Sequence, residues 1–198
     1  MPNIILASQS PRRKEILEQV GVKFTIIPSE KEEIITSSDP VAVVRELAFM
    51  KADDIASSIE EDALIIGTDT VVVFNNQILG KPRDEAHAKE MLRELQNQVH
   101  EVYSGVALIE KKEGQVERTW NFSVCTQVGF CEISEEQIER YVATGEPMDK
   151  AGAYGIQGKF AVYINQLVGD YYNVVGLPIS RIYEVLMENG IDLLEDGE

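Results

Sequence analysis

Hydrophobic positions along the chain fall into short continuous runs and into stripes three or four residues apart. Residues 3–7 (NIILA) are a short apolar run that predicts a buried strand. Ser10-Pro11 then marks a helix start, with Ser10 at the cap and Pro11 in the first turn, where its missing N–H costs nothing. Ile16, Leu17 and Val20 give that helix one apolar face, and Gly21 stops it. Residues 22–27 (VKFTII) predict a second strand, and the polar stretch 29–39 predicts a loop. Asp39-Pro40 repeats the cap-plus-proline signal for a helix over 40–58, with Val44, Leu47, Ala48 and Lys51 three or four apart. Residues 63–74 (ALIIGTDTVVVF) are the most strand-like in the chain; Asn75-Asn76 predicts a turn and Ile78-Leu79 the return.

The second half continues the alternation. Asp84 can cap a helix to about Leu95. Residues 99–110 and 115–131 predict two long strands joined around Lys111-Lys112-Glu113-Gly114. Ser134 and Gln137 have capping-box spacing, so a helix to about Thr144 follows. A glycine-rich segment, 152–158, precedes two further predicted strands, 160–166 and 171–175. Pro178 opens a last helix to about Asn189, and the acidic tail, about 190–198, is expected to fray. Helices and strands alternate but hairpins interrupt them, which predicts an α/β fold with a mixed sheet flanked by helices. With no repeat and no linker, residues 1–198 read as a single domain.

Composition narrows the function. The formal net charge is −16, so generic nucleic-acid binding and anionic membrane surfaces are disfavoured; both call for a basic face. No apolar run approaches membrane-spanning length, and Met1 to Ala7 lacks a charged region and is too short for a signal peptide. A cytoplasmic protein is expected. Cys125 and Cys131 are read as buried structural thiols on one sheet face, too far apart along one strand to bridge. Neither GxGxxG nor GxxxxGK[ST] is present, so neither common nucleotide fingerprint applies.

Four segments can carry chemistry. In Ser8-Gln9-Ser10-Pro11-Arg12-Arg13 a strand runs into a helix start, where unpaired N–H groups and the positive dipole end converge. Two arginines there oppose the dipole, so either they are solvated or an anion offsets the repulsion. In Gly67-Thr68-Asp69-Thr70 a carboxylate interrupts an apolar strand; it requires a metal, a cation or a raised pKa, or else it caps neighbouring backbone at a bulge on Gly67. Leu79-Gly80-Lys81-Pro82-Arg83 is either a phosphate clamp through Lys81 or a turn with surface cations. In Asp149 to Gly158 three glycines shape a loop with Tyr154 and Gln157 as polar handles, Gln157 being able to read a base edge; a purely structural loop is the alternative. Glu30, Glu32 and Glu33 form an acidic patch that spacing alone does not resolve into ligand or solvated run. Two isolated histidines, His87 and His100, support no zinc site, and no Ser-His-Asp arrangement is evident.

Taken together, LASQSPRRKEIL (6–17), IIGTDTVV (65–72), LGKPRD (79–84), SGVAL (104–108), DKAGAYGIQG (149–158) and VVGLP (174–178) resemble the Maf family of nucleoside triphosphate pyrophosphatases. The six stretches occur in order and span nearly the whole chain. The resemblance implies an elongated mixed α/β fold like that of the inosine triphosphatase relatives, with an active-site cleft between two lobes. It implies hydrolysis between the α- and β-phosphates, yielding a nucleoside monophosphate and pyrophosphate, and a possible homodimer.

Residue by residue, Asp69 matches the family's proton acceptor. Arg12, Thr70 and Gln157 match positions linked to base choice, and Ser8, Arg13, Lys51, Lys81 and Glu33 match other polar cleft positions. The AGAYGIQG form with Thr70 looks like the subgroup acting on dTTP and UTP. Where relatives carry an apolar residue between the acidic-loop carboxylates, this chain has Lys31; register with Phe24 favours Glu33 as the residue facing the cleft.

On this reading a divalent cation (Mg²⁺, Mn²⁺ or Co²⁺) held by Asp69 and Glu33 bridges phosphate oxygens, and Lys51, Lys81 and Arg13 hold the triphosphate. A pyrophosphatase for modified nucleotides such as 7-methyl-GTP, and a non-enzymatic nucleotide-binding regulator of cell division, are the alternatives.

Overall fold

The computed structural model describes residues 3–194. Strands β1 (Asn3–Leu6), β2 (Thr25–Ile26), β3 (Ala63–Phe74), β4 (Gln77–Leu79), β5 (Val99–Lys112), β6 (Gln115–Phe130) and β7 (Ile164–Val168) form one sheet in the order β2-β1-β3-β5-β6-β7, with β4 paired to β3. The helices are α1 (Pro11–Gln19), α2 (Pro40–Ser58), α3 (Glu85–Leu95), α4 (Glu135–Val142), α5 (Tyr171–Val175) and α6 (Ile179–Glu188). β1 pairs in parallel with β2 and β3, while β3/β4 and β6/β7 are antiparallel, so the sheet is mixed, as the interrupted alternation predicted. No described helix is long and apolar enough to cross a membrane. The acidic tail beyond residue 194 lies outside the described residues.

Local chemistry explains the element boundaries. Asn75 and Asn76 (φ 49° and 61°), and Glu113 and Gly114 (51° and 75°), all adopt left-handed backbone, the signature of two-residue turns that match the strand twist. Asp39 caps α2 by accepting from Val41 N and Ala42 N, Asp84 caps α3 through His87 N, and Ser134 with Gln137 completes the capping box of α4. Ser10 holds the cap position of α1, but its side chain makes no capping bond.

The chain divides into two compact units. The first comprises residues up to 69, 104–124 and from 176 onward; the second comprises 70–103 and 125–175, so β3, β5 and β6 contribute to both. In the first unit α2 packs on the sheet through small residues. Ala48, Ala52 and Ala56 meet Ile5, Ile65, Ala107 and Ile109. A Cβ on Gly67 of β3 would lie 2.3 Å from the Ala48 carbonyl oxygen, and one on Gly105 of β5 would lie 2.1 Å from that of Val44. Helix backbone therefore rests directly on two strand glycines. In the second unit α3 and α4 enclose an aromatic core of Phe130, Tyr141, Tyr154 and Phe160.

Four sequence expectations are corrected. Residues 22–27 yield only the two-residue β2. Residues 160–166 are mainly a 3₁₀ segment (Lys159–Tyr163) with β7 starting at Ile164, and 171–175 form α5, not a strand. Asn173 explains the helix: fully buried, its amide donates to Val102 O and Thr126 Oγ1, both at 3.0 Å, so tertiary bonding overrides the β-propensity of YYNVV. Cys125 is exposed and Cys131 partly exposed, so neither is a buried core thiol; both are free.

Candidate functional site

Asp69 sits on β3 two residues after Gly67, and hence on the same strand face. Because Gly67 lets α2 approach, Lys51, three residues beyond Ala48, reaches Asp69: Nζ donates to Oδ1 at 2.7 Å. The same ammonium lies 2.7 Å from Glu33 Oε1. Asp69 is only 9% exposed. Burial raises its pKa; the charge and hydrogen bond of Lys51 and the charge of Arg13 oppose the shift, and Glu33 adds to it. The result is a buried carboxylate paired with cations.

Residues 28–38 reach this point along α2. Ser29 Oγ donates to Asp54 Oδ2 (2.7 Å), Lys31 pairs with Asp54 (3.4 Å), Glu33 pairs with Lys51, and Thr36 Oγ1 donates to Glu46 (2.8 Å). Successive contacts move back up the helix, so the loop runs antiparallel to α2.

The segment after β1 supplies a fixed cation. Ser8 is buried, and its Oγ accepts from Ser10 N (3.2 Å) and from Arg13 Nη1 (2.9 Å). Arg13 Nε donates to Gly176 O at 3.0 Å, and Thr68 Oγ1 donates to the same carbonyl at 3.1 Å. Burial lowers the pKa of Arg13, Asp69 opposes this, and neighbouring Arg12 reinforces it. Ser8, Arg12, Arg13, Glu33, Lys51 and Asp69 thus belong to one unit.

Thr70, Lys81 and Gln157 belong to the other unit. Thr70 follows Asp69 on β3 and is partly exposed; Lys81 and Gln157 are exposed. The segments carrying the last two meet through Gly152 N donating to Gly80 O at 3.1 Å. Here the glycines have packing reasons. Gly152 takes φ 68°, and a Cβ on it would sit 3.0 Å from Val72; one on Gly158 would sit 2.1 Å from Glu146 Oε1. Glu146 in turn accepts from Lys159 N and Tyr141 Oη, both at 3.0 Å. Tyr154 is not an exposed handle: it is buried, its hydroxyl 2.8 Å from His100 Nε2. His100 is itself buried, which pushes its pKa down to about 4. The roles of Thr68, Gly176, Glu146 and His100 are not evident from sequence because each acts through a tertiary partner; Thr68 leaves a trace only as one of the polar residues that interrupt β3.

Among the described residues no group of three or more His, Cys, Asp or Glu side chains could hold a metal. Asp69 and Glu33 nevertheless present two oxygens to a single cationic point, each 2.7 Å from Lys51 Nζ. Two hard carboxylate donors suit a divalent ion that draws its remaining ligands from phosphate oxygens and water, and do not suit a self-sufficient protein cage.

The sequence model of the family described as Maf-like protein matches residues 3–189. A dTTP/UTP pyrophosphatase of Lachnoclostridium phytofermentans is 50% identical over 196 residues, covering 98% of this chain and 99% of the relative. A dTTP/UTP pyrophosphatase of Alkaliphilus metalliredigens is 52% identical over 187 residues, covering 94% and 95%. The structure of the Staphylococcus aureus Ham1 protein superposes with a TM-score of 0.53 at 13% identity, covering 94% of this chain and 99% of that one, a similarity of fold alone.

Proposed function

Because the chain belongs to the Maf-like protein family, we propose that it is a dTTP/UTP pyrophosphatase, cleaving between the α- and β-phosphates to release a nucleoside monophosphate and pyrophosphate. The observation that carries this reading is Lys51 bridging a buried Asp69 and Glu33 at 2.7 Å each. A buried carboxylate and a cation meeting at one point, beside Arg13, support a reading in which the first accepts a proton and the second binds phosphate.

The reaction follows from these groups. Water attacks the α-phosphorus, the bond to the bridging oxygen breaks, and pyrophosphate leaves. Asp69 takes the proton from the water; burial raises its pKa above the ordinary carboxylate value and so makes it a stronger base. Lys51 turns from the carboxylates toward phosphate oxygens, and Arg13, fixed by Ser8 and Gly176, offers a planar fork to them. Lys81 adds a further phosphate contact, while Arg12, Thr70 and Gln157 read the pyrimidine; the Gln157 amide can match the O4 and N3–H edge shared by thymine and uracil.

In this unit the proposed substrate cations (Arg12, Arg13, Lys51) outnumber the two carboxylates (Asp69, Glu33) by one positive charge, which the negative charge of a triphosphate exceeds. A divalent cation, Mg²⁺, Mn²⁺ or Co²⁺, held by Asp69 and Glu33 would supply the missing charge and polarise the phosphate oxygens when bound. The same reading places the protein in the cytoplasm, acting on free nucleotides as a possible homodimer, with a −16 charge that keeps it off nucleic acid.

The test is a panel of nucleoside triphosphates with each metal, monitored for pyrophosphate and monophosphate. Turnover of dTTP and UTP above the other nucleotides is expected. Preference for 7-methyl-GTP would move the substrate assignment, and nucleotide binding without pyrophosphate release at every metal would replace the enzyme by a regulator.

A further inference from the structure

We infer that Thr68 is a positioning residue for Arg13, acting through the carbonyl of Gly176; this rests on the assignment of Arg13 to substrate phosphate. Thr68 has no exposed surface, so it touches no substrate. Elsewhere β3 is built of Ile65, Ile66, Val71, Val72 and Val73, and a valine at position 68 would fill the same space with better β-propensity. What valine lacks is the hydroxyl, and here the hydroxyl is engaged, Oγ1 donating to Gly176 O at 3.1 Å.

That carbonyl is the second anchor of Arg13. The guanidinium is planar and rigid, so two bonded nitrogens determine both its plane and its direction within the plane. Nη1 is held by Ser8 Oγ at 2.9 Å and Nε by Gly176 O at 3.0 Å. Ser8 is fixed from its own side by Ser10 N. Gly176 has φ 117°, a conformation that L side chains rarely adopt, and it lies in the short link between α5 and α6, where no ladder of backbone bonds aligns its carbonyl. Thr68, rooted in β3 immediately before Asp69, ties that carbonyl to the strand that carries the proton acceptor. Arg13 and Asp69 are thereby referred to one rigid element.

The experiment compares wild type, Thr68→Val and Thr68→Ser for kcat and KM with dTTP, for inhibition by inorganic pyrophosphate, and for unfolding midpoint. Thr68→Val is expected to raise KM and the pyrophosphate inhibition constant roughly tenfold, with a smaller effect on kcat, as for one lost bond in a charged network. Thr68→Ser, which keeps the hydroxyl, is expected to stay near wild type. In an Arg13→Gln background the Thr68→Val change is expected to have no further effect on pyrophosphate binding, because the residue acts through the arginine. Wild-type KM and pyrophosphate inhibition in folded Thr68→Val, or the same tenfold loss in the Arg13→Gln background, would overturn the inference. Should Thr68→Val not fold, Thr68→Cys, near in size and a weak donor, replaces it under the same criteria. Absence of dTTP and UTP turnover in the wild-type protein would strike the proposed function instead; calorimetric binding of pyrophosphate to wild type and to the variants then decides the role of Thr68.

Discussion

Replacing Gly67 with alanine tests whether the approach of α2 to the sheet builds the site. The added Cβ would lie 2.3 Å from Ala48 O, 2.8 Å from Ala52 Cβ and 2.8 Å from Ala52 N. Two of these contacts are helix backbone, which no rotamer change relieves. Restoring ordinary separation requires α2 to retreat by about 1 Å. Overpacking on this scale costs about 1–3 kcal/mol, which for a chain of this length lowers Tm by roughly 3–10 °C. The retreat also carries Lys51 away from Asp69. A lysine side chain follows in part, yet displacements near 1 Å at a reacting centre reduce rates by factors up to about 10². Gly67→Ala is therefore expected to lose both stability and kcat with dTTP, with the kcat loss at least tenfold. Thermal unfolding and steady-state kinetics measure both. Gly80→Ala is the stability control, since a Cβ there meets nothing within 4 Å. A Gly67→Ala protein with wild-type Tm and kcat/KM would refute the idea that this glycine sets the distance between Lys51 and Asp69.

Three further outcomes are expected. Asp69→Asn should lower kcat by roughly 10²-fold or more, as for lost acid–base catalysis, and unchanged turnover would remove Asp69 from the mechanism. Lys51→Met withdraws the charge and hydrogen bond that lower the Asp69 pKa, so the acid limb of kcat/KM against pH should move to higher pH; a limb that stays or moves down contradicts the coupling. His100 is neutral in the fold with its pKa depressed from 6.5 to about 4, so its contribution to stability is full above about pH 6.5 and lost as pH falls through about 4. The stability difference between wild type and His100→Gln should therefore change by about 3 kcal/mol between pH 7.5 and pH 3.5 in urea titrations, with wild type losing more; parallel curves would show that His100 does not titrate with unfolding.

Much of the fold is legible in the sequence because its signals are local. The apolar stretches ALII and VVVF of β3, the left-handed turn residues Asn75-Asn76 and Glu113-Gly114, and the caps Asp39, Asp84 and Ser134 each decide structure within a few residues. The misread segments are those whose conformation a distant partner decides. KFAVYIN alternates like a strand, yet Phe160 is buried against Phe130 and Tyr141 while Val162 is 76% exposed, and the backbone closes into a 3₁₀ turn. The candidate site divides in the same way. Asp69 stands out because a carboxylate inside a valine and isoleucine strand needs a reason. Lys51 does not, since a lysine within a helix is ordinary; only the pairing of Gly67 with Ala48 explains why this one meets a buried acid.

The acidic loop shows how a tertiary register settles what composition leaves open. Glu30, Glu32 and Glu33 flank Lys31, and the sequence alone does not say which glutamate points toward the helix. In the structure Lys31 pairs with Asp54, as does Ser29, and Glu33 meets Lys51, one helical turn earlier in α2. Ser29, Lys31 and Glu33 are two apart, so an extended chain presents all three to the helix and turns Glu30 and Glu32 away. The lysine is therefore part of the same alternation that presents Glu33: Lys31 meets Asp54, and the next inward position, Glu33, meets Lys51. An apolar residue at position 31 could keep the alternation by packing on the helix, but it would remove the Lys31 ion pair of Asp54 and keep its hydrogen bond from Ser29. Substitution of Lys31 thus bears on how firmly Glu33 is held and leaves the choice of Glu33 unchanged.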